Sequence, residues 1–205
     1  GAEFLVNATT AGDQYTNQIG TPIAMRPDGR FVVVWSNVPA PGTSDIRARR
    51  FEARGVPTDA EFQVDVGGAG AAYYPNVDMG ESGDFVVVWS GDVPANPDVF
   101  GQRFDRTGNR LGAPFRVNTT TAGIQTAPRV AVESDGSFVV VWQDRGAGDG
   151  SGHGVLGQRF ASDGSPLGGE FQVNSYTPGN QFAYAVACAA DGRFVYDLSL
   201  FYYDY

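Results

Sequence analysis

Three polar segments have residue types suited to holding a sugar. Asn7-Ala8-Thr9-Thr10-Ala11-Gly12-Asp13-Gln14 recurs as Asn118-Thr119-Thr120-Thr121-Ala122-Gly123-Ile124-Gln125 and again as Asn174-Ser175-Tyr176-Thr177-Pro178-Gly179-Asn180-Gln181. Amides and hydroxyls both donate and accept hydrogen bonds, and a neighbouring aromatic ring offers an apolar face. Asn7, Thr10, Gln14, Asn118, Thr121, Gln125, Asn174, Tyr176 and Gln181 are therefore the candidate ligand-binding residues. The competing reading is that Asn and Thr side chains cap the loop backbone. The corresponding segment after Val64, Asp65-Val66-Gly67-Gly68-Ala69-Gly70, has lost the pattern, so a repeated site numbers three at most.

Other chemistry finds less support. Asp144 and Asp149 lie in a Gly-rich stretch and are the candidates for a structural calcium, but hard cations need several closely spaced oxygens. Here an Arg separates the two acids, which favours a solvated turn. His153 is the sole histidine, so a His-based metal site or a Ser-His-Asp triad has no second member. Arg50, Arg103 and Arg159 occupy matching positions, and the Ser134-Asp135-Gly136-Ser137-Phe138 turn looks a little like an Asp-box. A sialidase-like clamp is one reading of these; a salt bridge or backbone contact within each repeat is the favoured one. No catalytic residue is assigned, and no cofactor is expected.

The elements that must position these segments are written in a repeat. Phe31-Val32-Val33-Val34-Trp35 recurs from Phe85 and from Phe138, with a decayed copy from Phe194, at separations of 54, 53 and 56 positions. The run has no polar residue to mark a wet face, so such a strand must be covered on both sides. Around it each period sets four strand candidates in fixed order. In the second period these are Pro75–Met79, Phe85–Trp89, Val99–Asp105 and Pro114–Asn118. Asp28-Gly29, Asp135-Gly136 and Asp191-Gly192 are hairpin turns, because Gly reaches positive φ without steric cost. No segment carries sustained helical periodicity.

The expected fold is all-β, with four short antiparallel strands per repeat, which describes a β-propeller blade. We expect four blades in one domain, at about 20–65, 73–118, 126–174 and 182–205. The last lacks a fourth strand, and Glu3-Phe4-Leu5-Val6-Asn7 matches Glu170-Phe171-Gln172-Val173-Asn174, so residues 3–7 are expected to close it. A larger propeller, or one completed by a second copy, is the alternative. Loops after strands two and four are long and share one face, where function is expected. Trp35, Trp89 and Trp142 adjoin that face and are read as core between blades.

Composition limits the partners. Lys is absent, 14 Arg face 23 acidic residues, and the formal charge is −9. Nucleic acid needs clustered positive charge, and anionic membranes repel this sign. No apolar run is long enough to insert in a bilayer. The one cysteine, Cys188, excludes an internal disulfide and reads as a buried thiol. The chain opens at Gly1-Ala2-Glu3-Phe4 and is read as a processed or excised piece.

The Asp-Gly-x-Phe-Val-Val-Val-Trp block, the Gly-Gln-Arg-Phe strands at 101–104 and 157–160, and the Glu-Phe-x-Val-Asn block resemble a repeat of large secreted bacterial proteins. The resemblance covers nearly the whole chain. It implies an extracellular, non-enzymatic propeller-type module, often beside adhesion or calcium-binding repeats. The expectation is therefore a secreted or cell-surface, lectin-like module that binds glycans or other surface macromolecules. The alternatives are a structural adhesion domain and, more distantly, a sialidase-like glycosidase.

Overall fold

In the computed structural model, the described residues are 3–16, 21–66, 70–91, 96–146, 150, 152–189 and 193–201, the last four of these by backbone alone. The Asp191-Gly192 turn lies outside them. Fifteen β-strands are present and no helix among the described residues.

The first sheet holds β1 (Asp13–Tyr15) and β2 (Ile23–Met25), which both pair with β3 (Phe31–Val38), then β4 (Asp45–Phe51) and β5 (Phe62–Gln63). The second runs β6 (Ala72–Met79), β7 (Phe85–Gly91), β8 (Asp98–Phe104), β9 (Phe115–Arg116). The third runs β10 (Gln125–Val132), β11 (Phe138–Asp144), β12 (Gly154–Phe160), β13 (Pro166–Gln172). The fourth pairs β14 (Asn180–Cys188) with β15 (Phe194–Phe201). All pairings are antiparallel, and the sheets follow the expected strand order. Gly29 and Gly136 take φ of 86° and 85° in their turns, as the hairpins require.

Each second strand supplies two cores. In β7, Phe85, Val87 and Trp89 face the first sheet, while Val86 and Val88 face the third. β11 repeats the alternation, with Phe138, Val140 and Trp142 toward the second sheet and Val139 and Val141 toward the fourth. Side chains alternate across a strand, so an all-apolar strand buried on both faces joins two neighbours at once.

Aromatic triads repeat along the chain. Phe31 stacks on Phe51, Phe85 on Phe104 and Phe138 on Phe160, each with centroids 4.9 Å apart. A fourth-strand Phe from the preceding repeat tilts onto each later pair: Phe62 on Phe104 at 5.5 Å and Phe115 on Phe160 at 5.4 Å. Phe4 takes this part for the first pair, 5.5 Å from Phe51. Residues 3–7 therefore sit against the first sheet where a preceding blade's fourth strand would lie. The expected closure by pairing does not follow: among the described residues, no ladder joins 3–7 to β14 or β15, which form a two-stranded sheet. The packing of Phe4 holds that segment by its side chains.

The three matching arginines latch blades or turns. Arg50 Nη1 donates to the Arg106 carbonyl at 2.7 Å, Arg103 to the Asp163 carbonyl, and Arg159 pairs with Glu133 at 3.1 Å. They point at different partners and do not converge.

A carboxylate clasp also repeats. Glu61 accepts from the amides of Ala8 at 2.7 Å and Thr9 at 3.2 Å and from the Thr9 hydroxyl; Glu170 does the same for Thr119 and Thr120. Burial pushes the Glu61 carboxyl up, but these three donors outweigh it and hold the group below the ordinary 4.5. A depressed carboxyl stabilises the fold above its unfolded value, and that contribution is lost as pH falls through the folded one. In Glu61→Gln, hydrogen exchange of the Ala8 and Thr9 amides should quicken several-fold at neutral pH. The difference from the parent protein should close below the ordinary carboxyl range. Equal exchange at neutral pH would show that the clasp does not hold residues 7–10.

Candidate functional site

The Asn and Gln side chains singled out for ligand binding bond to their own loops and to the strands beside them. Asn118 is buried; its Oδ1 accepts from the Val99 amide at 2.7 Å, and its Nδ2 donates to Asp98 and to the Thr120 carbonyl. Asn174 repeats this with the Val155 amide, the Tyr176 carbonyl and Gln181 Oε1. Asn7 donates to the Thr9 carbonyl and to Gln14 Oε1. Gln125, fully buried, accepts from Trp142 Nε1 at 2.7 Å and donates to Asp144 at 2.8 Å. Gln14 and Gln181 donate to carbonyls of their own loops. The amides thus tie each loop to its blade. Thr10, Thr121 and Tyr176 lie exposed on the same segments.

Asp144 is buried and accepts from Gln125 and from the Gly146 amide, whereas Asp149 lies outside the described residues. Among the described residues no cluster of three metal-ligating side chains occurs. Cys188 is half-buried beside the Ala131 carbonyl, and burial pushes its thiol up to about 11.

A different place gathers chemistry. The first strands of successive blades lie side by side: the Val77 amide donates to the Thr21 carbonyl, the Val130 amide to Asn76 Oδ1, and the Val132 amide to Asp78. Burial raises the Asp78 carboxyl, with the Val132 and Met79 amides opposing it. Of the first strands, β6, β10 and β14 each carry an irregularity in the ladder to their second strand, at Tyr73/Asn76, Thr126/Arg129 and Ala183/Ala185. Tyr74 and Ala127 stand at φ of 56° and 53°, the left-handed region that non-glycine residues avoid. Bulges re-aim side chains, and such backbone persists only where its surroundings enforce it.

Where the bulges meet lies a recess of about 90 Å³, lined by Tyr74, Thr126, Ala127, Arg129, Gln143, Arg145, Phe182, Ala183 and Tyr184. Arg129 is 1% exposed; its Nε donates to the Tyr184 carbonyl and its Nη1 to the Ala127 and Pro128 carbonyls. Its Nη2 is buried without a hydrogen-bond partner. Burial lowers this guanidinium to about 10, with Tyr184 opposing, so it is charged at neutral pH. Arg145 is exposed at the rim and bonds Gln143 through Nε at 3.2 Å. Tyr74 is 42% exposed, with its ring 6.5 Å from Tyr73. Tyr15 is close enough for both tyrosines and Asp13 to bear on its hydroxyl, which burial chiefly raises. The mouth therefore presents aromatic faces around a buried cation.

No family model matches the chain, and no curated protein matches it in sequence. Solved structures share its fold. An endo-arabinase from Bacteroides thetaiotaomicron is 14% identical over 83% of this chain and 66% of its own, with a TM-score of 0.50. An α-L-arabinofuranosidase from Lactobacillus brevis is 13% identical over 85% of this chain and 63% of its own, at 0.51. A structure from the GH130 family of mannoside phosphorylases, a family containing glycoside hydrolases that target β-1,2 mannosidic linkages in Candida mannan, is 11% identical over 89% and 60%, at 0.50. The likeness is one of fold, and the four-stranded sheets fit propeller blades. The chain spans about two thirds or less of each enzyme's length. The expectation of a non-enzymatic, lectin-like or purely structural module is corrected on this finding, since the architecture it rested on is one that glycan-cleaving enzymes use. A repeat pattern specifies blades and carries no signal for or against catalysis.

Sequence reasoning passed over Arg129, Arg145, Tyr74 and Tyr184. A signal was present: Arg129 is a lone charge heading the apolar run Val130-Ala131-Val132, and Tyr74 directly precedes a Pro in a first strand.

Proposed function

We propose that this chain is the propeller portion of a glycan-processing enzyme that takes a sugar at the mouth of its first strands. The carrying observation is the convergence there of left-handed Tyr74 and Ala127 with the buried Arg129, the exposed Tyr74 ring and the half-buried Phe182 and Tyr184. Aromatic faces seat sugar rings, and fixed polar groups orient them. The names of the fold neighbours, arabinan-, arabinofuranoside- and mannoside-acting, support glycoside bonds as the target.

Glycoside cleavage needs a proton donor for the leaving oxygen and, on the other side of the bond, a carboxylate that attacks the sugar carbon or activates a water to do so. Among the described residues no carboxylate lines the recess, so no residue is assigned the proton-transfer role. In this reading β14–β15 begin a fourth blade whose outer edge is residues 3–7, as the placement of Phe4 supports, and the protein acts outside the cell.

The test is release of reducing ends from arabino-, xylo- and manno-oligosaccharides and from uronate-containing oligosaccharides. Tyr74→Ala should raise KM for whichever of these is cleaved, because it removes the exposed ring at the recess. Absence of both cleavage and binding across the panel would overturn the reading.

A further inference from the structure

We propose that the recess takes the carboxylate of an acidic sugar, so that the glycan is a uronate-bearing one; this deepens the glycan-processing reading and rests on it. The recess holds about 90 Å³, far below the roughly 300 Å³ at which pockets enclose a small-molecule ligand. It admits a small planar group while the sugar ring stays outside, against exposed Tyr74.

The charge inside is positive and unbalanced. Arg129 and Arg145 line the recess, and no carboxylate is among its described lining residues. This is notable in a chain of net charge −9. Three donors of Arg129 are directed at carbonyls, and Nη2 is left buried with none. An unpaired charge removed from water is costly unless an anion completes it. With Nε and Nη1 engaged, Nη2 remains to give a charge-assisted hydrogen bond to one carboxylate oxygen. Arg145, at the rim, supplies the second cation.

Binding of trigalacturonate, its methyl ester, arabinotriose and a sulfated disaccharide to the full chain, by calorimetry, tests this. The acid should bind about ten-fold or more tightly than the ester, with the advantage shrinking as salt rises. Arg145→Gln, an exposed position, should remove most of that advantage and leave the melting temperature unchanged. Arg129→Lys should remove it as well, with folding checked by the same melting curve. If the ester or arabinotriose binds as well as the acid, the uronate assignment falls while the glycan function stands. Tighter binding of the sulfated sugar also overturns it. If nothing binds and nothing is cleaved, both fall together.

Discussion

Phe104→Ala should cost about 3–5 kcal/mol of folding stability, the range for emptying a fully buried aromatic site. Phe104 is 1% exposed, stacks on Phe85 at 4.9 Å and meets Phe62 of the preceding repeat at 5.5 Å. Arg110 lies over the same ring at 5.6 Å. Truncation removes contacts within one blade and between two, and the rigid strands around it cannot collapse into the gap. Urea unfolding should show a lower midpoint with unchanged slope. The matched control is Phe4→Ala: that ring packs on Phe31 and Phe51 but is 50% exposed, so its loss should be far smaller. Equal losses at the two positions would deny the triads their part in joining blades.

The second large effect is at Gly157, opposite Phe171 in the ladder. A Cβ there would lie 2.7 Å from Phe171 Cζ and 3.2 Å from Val173 Cγ2, closer than packed atoms tolerate. Gly157→Ala should therefore cost about 1–3 kcal/mol, and Gly157→Val more, because overpacking forces rings off their rotamers. Gly101 faces Phe115 in the same way, with a built Cβ at 2.8 Å. Gly169 has nothing within 4 Å, so Gly169→Ala is the neutral comparison. A harmless Gly157→Val would mean that Phe171 yields freely.

These two positions also mark what could be read from the chain. An apolar run with no wet face dictates burial on both sides, and Phe85 to Trp89 behave accordingly. Strand order followed because turn residues recur at fixed places. The Gly and Gln of the Gly-Gln-Arg-Phe strands were legible as pattern only. Their reason is spatial: Gly157 makes room for Phe171, and Gln158 bridges the adjacent irregularity by donating to the Arg159 and Gly168 carbonyls.

The site was less legible. Asn and Gln at repeating loop positions have the chemistry of sugar ligands and of loop fasteners alike, and their burial, as at Asn118 and Gln125, is a property of the packed fold that sequence does not show. Arg129 carries the opposite lesson. A charge in an apolar strand looks like an exposed edge in sequence, and only the approach of Tyr184 from 55 positions away shows that it is enclosed. Blade closure depends on a pairing between distant termini, which matching motifs suggest but cannot register.

The most direct test of the central claim is a crystal structure of the protein with a bound uronate-containing oligosaccharide. The account predicts a carboxylate against Arg129 and Arg145, with the sugar ring over Tyr74. Sugar seated on the Asn118–Gln125 or Asn174–Gln181 loops, with the recess between Tyr74 and Tyr184 untouched, would contradict it.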